Sequence, residues 1–261
     1  MADPVRISAH AGHAAPAGPR ALAAYREAVA SGADYVELDI RGTADGELVA
    51  FHDPATSQGH PLAAVGYARL CDLAGYEVPK VADVLAVISG RARGHLDLKE
   101  AGGGRRLAQL ALDVLGPGEF IITSAEDASV AAIRSRFRDP EAVPVALSLG
   151  GGGNGAPPAQ WLRARLRELR PESRLRACGA DWVAADRRLA LAGVAGRCRR
   201  RHVKVMVWTV NSEPEIRYWL RRRIDVLVTD RPARAVALRE QSAGGRLARP
   251  VRGSWITPPL T

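Results

Sequence analysis

The fold is decided by residues 32–40, which read Gly-Ala-Asp-Tyr-Val-Glu-Leu-Asp-Ile. Side chains two residues apart on a β-strand point to the same face. Glu37 and Asp39 therefore share one face, and the apolar residues that alternate with them share the other. We expect the apolar face to pack against covering helices and the two carboxylates to lie near the C-terminal end of a strand.

Similar apolar segments, rich in β-branched residues, alternate with helical patterns along the chain. The predicted strands are residues 5–9, 35–40, 94–98, 120–123, 143–147, 182–184, 204–209 and 226–229. The predicted helices include residues 20–31, 105–115, 128–137, 159–169, 187–200, 213–222 and 232–240. Eight such units in 261 residues predict an α/β fold, a single (β/α)8 TIM barrel. A doubly wound open sheet is the alternative, but no glycine-rich dinucleotide fingerprint follows the first strand.

One hairpin interrupts the regular alternation after the second strand. The turn Thr43-Ala44-Asp45-Gly46 precedes a short strand over residues 47–51, which delivers His52. Residues 53–78 are then predicted to be an irregular insertion with a helical stretch around residues 67–74. Excursions of this kind lie on the C-terminal face of a barrel, where active sites are built.

The domain prediction is a barrel over residues 1–240 followed by a C-terminal tail, residues 241–261, that packs through Trp255 and Ile256. The glycine-rich run at residues 150–155 follows the fifth strand. It lacks the Lys-Ser/Thr of a phosphate-binding P-loop, which favours a flexible lid or a linker.

Composition and charge limit the classes of function. The net charge is +9, but 34 of the cations are Arg and only 3 are Lys, and no nucleic-acid-binding motif accompanies them. We expect no nucleic-acid partner, although a positive field favours anionic substrates. No apolar run is long enough for a transmembrane segment, and no secretion signal is visible, so the cytoplasm is the expected location.

A second pair of residues repeats the spacing of Glu37 and Asp39. Asp97 and Lys99 share one face of the third predicted strand. If both strands face the barrel axis, three carboxylates and one ammonium group converge. Three oxygen ligands suit one hard divalent cation, Mg²⁺ or Ca²⁺, which can then bind a phosphoryl oxygen.

Two histidines complete this predicted constellation. His10 ends the first strand and His52 ends the hairpin strand, so both should lie on the rim beside the carboxylates. A pair of imidazoles beside a phosphodiester can exchange acid and base roles. We therefore predict that His10 and His52 are catalytic; the sequence leaves open which of them is the acid.

Together these residues form a series of motifs that resembles the glycerophosphodiester phosphodiesterase family. The motifs are Ala9-His10-Ala11-Gly12, residues 32–40, Thr43-Ala44-Asp45-Gly46, His52-Asp53, Leu96-Asp97-Leu98-Lys99, residues 207–211 and residues 225–232. The resemblance spans nearly the whole chain. It implies a barrel fold, a divalent metal held at Glu37, Asp39 and an acidic residue on the third strand, and an acid–base pair at His10 and His52.

The chain departs from the family pattern at three places. Ala11 stands where the family usually has Arg, Gly18-Pro19-Arg20 stands where it has Pro-Glu-Asn, and Asp97 stands where it commonly has Glu. Asp97-Leu98-Lys99 is similar to the related sphingomyelinase D-type phospholipases. The missing Arg removes an expected contact to a phosphate oxygen, so the charge must come from the metal, from Lys99 or from another basic residue. Arg41 is the best-placed candidate and Arg20 the second, with a solvent-facing charge on the rim as the alternative for both.

Three side chains are predicted to bind substrate. Lys99 offers a compact charge to a phosphate, with a salt bridge to Asp97 or Glu37 as the alternative. Trp208 is predicted to form the floor of the pocket, with ordinary core packing as the alternative. Arg41 is the third. The other histidines, His13, His60, His95 and His202, are interpreted as structural or surface residues.

Three functions remain open at this point. The first is a metal-dependent phosphodiesterase that hydrolyses glycerophosphodiester-type or lysolipid substrates to an alcohol and glycerol phosphate. The second is a phospholipase D-like lyase that releases a cyclic phosphate. The third is a non-catalytic protein that binds phosphodiesters. The sequence does not disclose the head group or the oligomeric state.

Overall fold

The computed structural model describes residues 4–10, 21–151 and 166–247. Its strands are β1 (Arg6–Ala9), β2 (Tyr35–Gly42), β3 (Leu48–Ala50), β4 (Arg93–Leu98), β5 (Phe120–Ser124), β6 (Val145–Leu149), β7 (Trp182–Asp186), β8 (Lys204–Trp208) and β9 (Val226–Thr229). Eight parallel strands follow one another in the order β1, β9, β8, β7, β6, β5, β4, β2, and β2 pairs with β1 to close the ring. The predicted (β/α)8 barrel is confirmed.

Helices connect the strands around the ring. They are α1 (Ala21–Ala30), α2 (Tyr67–Ala74), α3 (Val81–Ile88), α4 (Gly104–Val114), α5 (Asp127–Arg136), α6 (Glu172–Cys178), α7 (Arg187–Leu189), α8 (Ala195–Arg199), α9 (Glu213–Leu220) and α10 (Pro232–Leu247). A π-helical turn, Ala190–Val194, joins α7 to α8. No helix in the described ranges is both long and apolar enough to cross a bilayer.

Three helices differ from the sequence-based expectation, and one of them, α6, is absent from the predicted helices. Helix α3 was not predicted either, because all its residues except Asp83 are apolar and leave no polar face to define a helical period. Helix α10 continues to Leu247 instead of ending at residue 240. Most of the helix predicted at residues 159–169, the phosphate-contact position Ala11, and residues 248–261 of the predicted tail lie outside the described residues.

Residues 35–40 alternate between the two faces of β2, and each face belongs to a different packing layer of the barrel. Val36, Leu38 and Ile40 are fully buried in the core between the barrel and its helices. Each such side chain contributes about 1.5–3 kcal/mol when it leaves water, so this layer fixes the register of β2. A second apolar cluster fills the inside of the barrel: Tyr35, Ile121, Ala146, Trp182, Ala184, Met206, Val226 and Val228.

Strand β3 lies outside the ring. It pairs antiparallel with the end of β2, on the edge of β2 opposite to β4, which is the edge that β1 also occupies. The amide of Phe51 bonds to the carbonyl of Asp39 at 3.0 Å and continues this pairing. The hairpin therefore brings His52 to the same side of β2 as the end of β1.

Three aspartates link the N-terminal ends of neighbouring strands through hydrogen bonds. Asp34, Asp181 and Asp225 each precede a strand, and each accepts a backbone N–H from a neighbouring strand. The donors are Ile7 at 2.6 Å, Val145 at 3.3 Å and Val205 at 2.7 Å. These carboxylates thus hold adjacent strands in register at the end of the barrel away from the carboxylates of β2.

Candidate active site

Three carboxylates meet inside the barrel near the C-terminal ends of β2 and β4. The parallel register places Asp39 opposite Asp97 and Glu37 opposite His95. One oxygen from each of Glu37, Asp39 and Asp97 lies within 4.8 Å of the others. The structure therefore brings together the three residues that strand spacing selected.

The donor set fits a hard divalent cation. Asp39 is buried, and its Oδ2 has no hydrogen-bond partner among the described residues. A buried carboxylate is costly unless it is paired or coordinates a cation. Lys99 compensates in part, because its Nζ lies 2.7 Å from Asp39 Oδ1 and 2.5 Å from Asp97 Oδ2. The remaining oxygen lone pairs of the cluster are the ligands that Mg²⁺ or Ca²⁺ prefers.

The charges of this cluster shift the pKa values of its members. Burial alone would raise the pKa of Asp97, but Lys99 and the hydroxyl of Thr123 lower it below its usual range. Burial opposes the charge of Lys99, yet Asp97 and Asp39 raise its pKa above the usual range. Asp97 and Lys99 are therefore charged at neutral pH. Lys99 forms salt bridges with Asp39 and Asp97, and the pairing with Asp97 is one of the alternatives that the sequence offered.

His10 follows β1 and is held by two other strand ends. Its amide bonds to the carbonyl of Thr229 at 3.0 Å, and its Nδ1 lies 2.7 Å from Asp230 Oδ1. Asp230 Oδ2 in turn accepts a hydrogen bond from Asn211 Nδ2 at 2.5 Å. Because an ionised carboxylate only accepts, this contact places a proton on Nδ1 of His10.

His52 follows β3 and has a more open setting. Its Nδ1 lies 2.8 Å from Asp53 Oδ1, and its carbonyl accepts a hydrogen bond from Arg41 Nε at 2.9 Å. The side chain of His52 is 50% exposed, against 21% for that of His10. Arg41 also lies 3.6 Å from Glu100, so its guanidinium contacts the backbone that carries His52 as well as an acidic neighbour.

Trp208 ends β8 inside the barrel and packs against the inner apolar cluster. Its indole Nε1 is buried and has no hydrogen-bond partner among the described residues. Gly151 approaches the ring of Trp208, since a Cβ at that position would lie 3.9 Å from the indole. Trp208 is therefore at the C-terminal end of the barrel, with residues 152–155 of the glycine-rich run outside the described residues.

Sequence reasoning missed several residues of the site. Asp230 and Asn211 belong to quoted motifs, and their positions just after β9 and β8 were the available signal. His95 was interpreted as structural or on the surface; it is buried inside the barrel, on the face that carries Asp97. Burial lowers the pKa of His95 to about 4, so the ring is neutral at pH 7.

A family model matches part of the chain. Residues 10–93 match the glycerophosphoryl diester phosphodiesterase family. This stretch includes both candidate acid–base histidines and two of the three clustered carboxylates, on β2. No curated protein matches the chain in sequence.

Solved structures share the fold at low identity. A glycerophosphodiester phosphodiesterase from Parabacteroides distasonis is 17% identical, covers 93% of this chain and 100% of its own, and has a TM-score of 0.71. A protein from Agrobacterium tumefaciens, described as a putative glycerophosphoryl diester phosphodiesterase, is 19% identical, covers 93% of this chain and 100% of its own, and has a TM-score of 0.73. A phosphodiesterase from Oleispira antarctica, in complex with the product sn-glycerol-3-phosphate, is 18% identical, covers 91% of this chain and 97% of its own, and has a TM-score of 0.69.

The closed barrel, with its carboxylate cluster and two rim histidines, places the chain among TIM-barrel proteins that carry a polar site at the C-terminal ends of their strands. The family match and the shared fold confirm the resemblance seen in the motifs. Residues 10–93 match the glycerophosphoryl diester phosphodiesterase family, and the chain shares its fold with solved glycerophosphodiester phosphodiesterases.

Proposed function

We propose that the protein hydrolyses a glycerophosphodiester-type substrate to an alcohol and a glycerol phosphate, with one divalent cation and a pair of histidines. The observation that carries this proposal is the cluster of Glu37, Asp39 and Asp97, with His10 and His52 on one side of it. Along the ring, both histidines follow strands that border β2 on the edge opposite to β4. The location in the cytoplasm remains a prediction.

Glu37, Asp39 and Asp97 would hold the cation, Mg²⁺ or Ca²⁺. When bound, such a cation acts as a Lewis acid and stabilises negative charge on a phosphoryl oxygen. The buried carboxylate of Asp39, whose Oδ2 has no hydrogen-bond partner among the described residues, supports this assignment.

His10 and His52 divide the proton transfers between them. Each contacts an aspartate through Nδ1, and Nε2 is the atom that exchanges the proton in this proposal. One imidazole removes a proton from the attacking hydroxyl group as the new oxygen–phosphorus bond forms. The other donates a proton to the leaving oxygen as the second oxygen–phosphorus bond breaks. The attacking group is water or a hydroxyl of the substrate; in the second case a cyclic phosphate forms first and water opens it.

Three side chains are proposed to bind the substrate. Lys99 supplies positive charge beside the cluster, and Trp208 offers an indole N–H that has no partner among the described residues. Arg41 is proposed to replace the arginine that the family has at position 11. Its contact with the His52 carbonyl means that substitution at Arg41 also tests the position of His52.

The test is hydrolysis of glycerophosphoethanolamine and glycerophosphoglycerol, with products followed by phosphorus NMR. We expect a chelator to abolish turnover and Mg²⁺ or Ca²⁺ to restore it. Asp39→Asn should weaken cation binding and turnover together, whereas Asp72→Asn, on the exposed side of α2, should change neither. Full metal-dependent activity in a Glu37→Ala, Asp39→Ala, Asp97→Ala variant would rule out the cation site.

The same assay separates the remaining roles. His10→Ala and His52→Ala should each lower turnover by about 10²-fold or more, the usual size of an acid–base contribution. Arg41→Ala should raise KM, and Ala11→Arg should partly restore it. A silent Arg41→Ala would show that Arg41 does not replace the missing arginine. A cyclic phosphate as the final product would assign the lyase reaction instead.

A further inference from the structure

We infer that Ser8, His95 and Thr123 form a hydrogen-bonded relay that orients the carboxylate of Asp97 for cation binding. The three residues lie on β1, β4 and β5, all buried inside the barrel beneath the carboxylate cluster. Ser8 Oγ lies 3.0 Å from His95 Nδ1, and Thr123 Oγ1 lies 3.3 Å from His95 Nε2 and 2.5 Å from Asp97 Oδ1. This inference rests on the proposed cation site.

The direction of the relay follows from its end at Asp97. The ionised carboxylate of Asp97 only accepts hydrogen bonds, so the single hydroxyl proton of Thr123 points to Asp97 Oδ1. Thr123 Oγ1 must then accept at its other contact, which requires a proton on His95 Nε2. In the neutral ring Nδ1 carries no proton and accepts from the hydroxyl of Ser8. Every donor of the relay is thereby used.

The relay fixes a carboxylate that otherwise has freedom to rotate. Lys99 Nζ lies 2.5 Å from Asp97 Oδ2. With Thr123 at Oδ1, both oxygens are held, so the carboxylate plane has a defined orientation relative to Glu37 and Asp39. Partners of this kind, which contact a ligand residue and not the metal, typically change metal affinity by about 10- to 100-fold when removed. Ser8, His95 and Thr123 are therefore positioning residues.

The test is the affinity for Mg²⁺ and Ca²⁺ alone, measured by titration calorimetry on the full chain without substrate. Thr123→Val removes the donor at nearly constant shape and should raise the dissociation constant by about 10- to 100-fold. Thr123→Ser keeps the hydroxyl and should bind like the wild type. The matched control is Ser124→Ala, because Ser124 is buried on the same strand but donates to the Leu98 carbonyl at 3.0 Å.

A second pair of variants keeps the inference testable if Thr123→Val does not fold. His95→Gln retains an N–H donor near the position of Nε2 and should keep most of the affinity. His95→Leu has no donor and should lose affinity as Thr123→Val does. Equal affinities for the two His95 variants would overturn the relay.

The outcomes separate the relay from the proposed function. A wild-type protein that binds no divalent cation would remove the cation site and the relay with it. Tight binding by both the wild type and Thr123→Val would leave the cation site in place and overturn the relay. Equal weakening by Ser124→Ala and Thr123→Val would indicate general loosening of the strand, which also contradicts the inference.

Discussion

Asp230 gives His10 a more rigid environment than Asp53 gives His52. The carboxylate of Asp230 binds Asn211, and its backbone amide donates to the same asparagine at 2.9 Å. Asp53 is 71% exposed and is the sequence neighbour of His52, so that contact is open to water and to salt. The two histidines therefore depend on their aspartates to different extents.

This difference predicts unequal effects of two matched substitutions. Asp230→Asn keeps the shape but removes the carboxylate that orients His10 and favours a proton on its Nδ1. We expect kcat to fall by about 10²-fold with little change in KM. Asp53→Asn should cost much less. The measurement is steady-state kinetics with pH–rate profiles for both variants, and equal losses would show that the Asn211–Asp230 pair does not set His10 apart.

His95 predicts a dependence of stability on pH. Burial lowers its pKa to about 4 from the ordinary histidine value of 6.5. Between these values the unfolded chain binds a proton that the folded protein does not bind, so stability falls as pH falls through this window. At about 1.4 kcal/mol per pH unit, His95 lowers the free energy of unfolding by about 3 kcal/mol between pH 6.5 and pH 4.

The His95 contribution is measurable by urea unfolding of the metal-free protein between pH 4 and pH 7. The wild type should lose more unfolding free energy towards low pH than His95→Gln, whose side chain does not titrate. The difference between the two proteins isolates His95 from the other titrating groups. Parallel pH profiles would show that the folded state protonates His95 as readily as the unfolded chain does.

At the scale of secondary structure, Asp45 connects the β2–β3 hairpin to the insertion that follows it. Its carboxylate accepts from Thr43 Oγ1 at 2.5 Å and from the amide of Tyr67, at the start of α2, at 3.0 and 3.1 Å. The hydroxyl of Thr43, followed by the amide of Tyr67, lowers the pKa of Asp45 below its usual value. One charged side chain thus holds α2 against the hairpin that delivers His52.

Asp45→Ala should therefore loosen the insertion without unfolding the barrel. We expect faster limited proteolysis within residues 53–66 and a lower kcat, because His52 follows the same hairpin. Asp72→Ala is the control, since Asp72 is exposed on α2 and no hydrogen bond in the described structure uses its side chain. Unchanged proteolysis in Asp45→Ala would assign the fixing of α2 to its apolar packing instead.

The sequence predicted these elements best where one local pattern decides the structure. The alternation of apolar and acidic residues over residues 35–40 predicted strand β2, and the helix expected around residues 67–74 coincides with α2. The convergence of Asp39 and Asp97 also followed, because neighbouring parallel strands place equivalent positions side by side. The contact between His10 and Asp230 joins residues 220 positions apart through closure of the ring, and no local pattern encodes it.

At the scale of the whole molecule, the two ends of the barrel carry different kinds of aspartate. Those near the C-terminal ends of the strands are crowded with other carboxylates, which costs stability and supports the proposed chemistry. Those before the N-terminal ends accept backbone hydrogen bonds and hold the strands together. In TIM barrels the C-terminal face carries activity and the opposite face contributes to stability.

One substitution at each end tests this separation. Asp225→Ala leaves the Val205 amide without its charged acceptor and should lower the free energy of unfolding by about 1.5–3 kcal/mol, with kcat and KM unchanged. Asp39→Asn should abolish turnover, while the metal-free variant loses little stability, because repulsion within the cluster falls and Lys99 keeps its ion pair with Asp97. Urea unfolding and steady-state kinetics on both variants provide the comparison. A loss of turnover in Asp225→Ala that persists well below its unfolding transition would show that the strand register set at the N-terminal end also controls the geometry of the site, and the two ends would then not be independent.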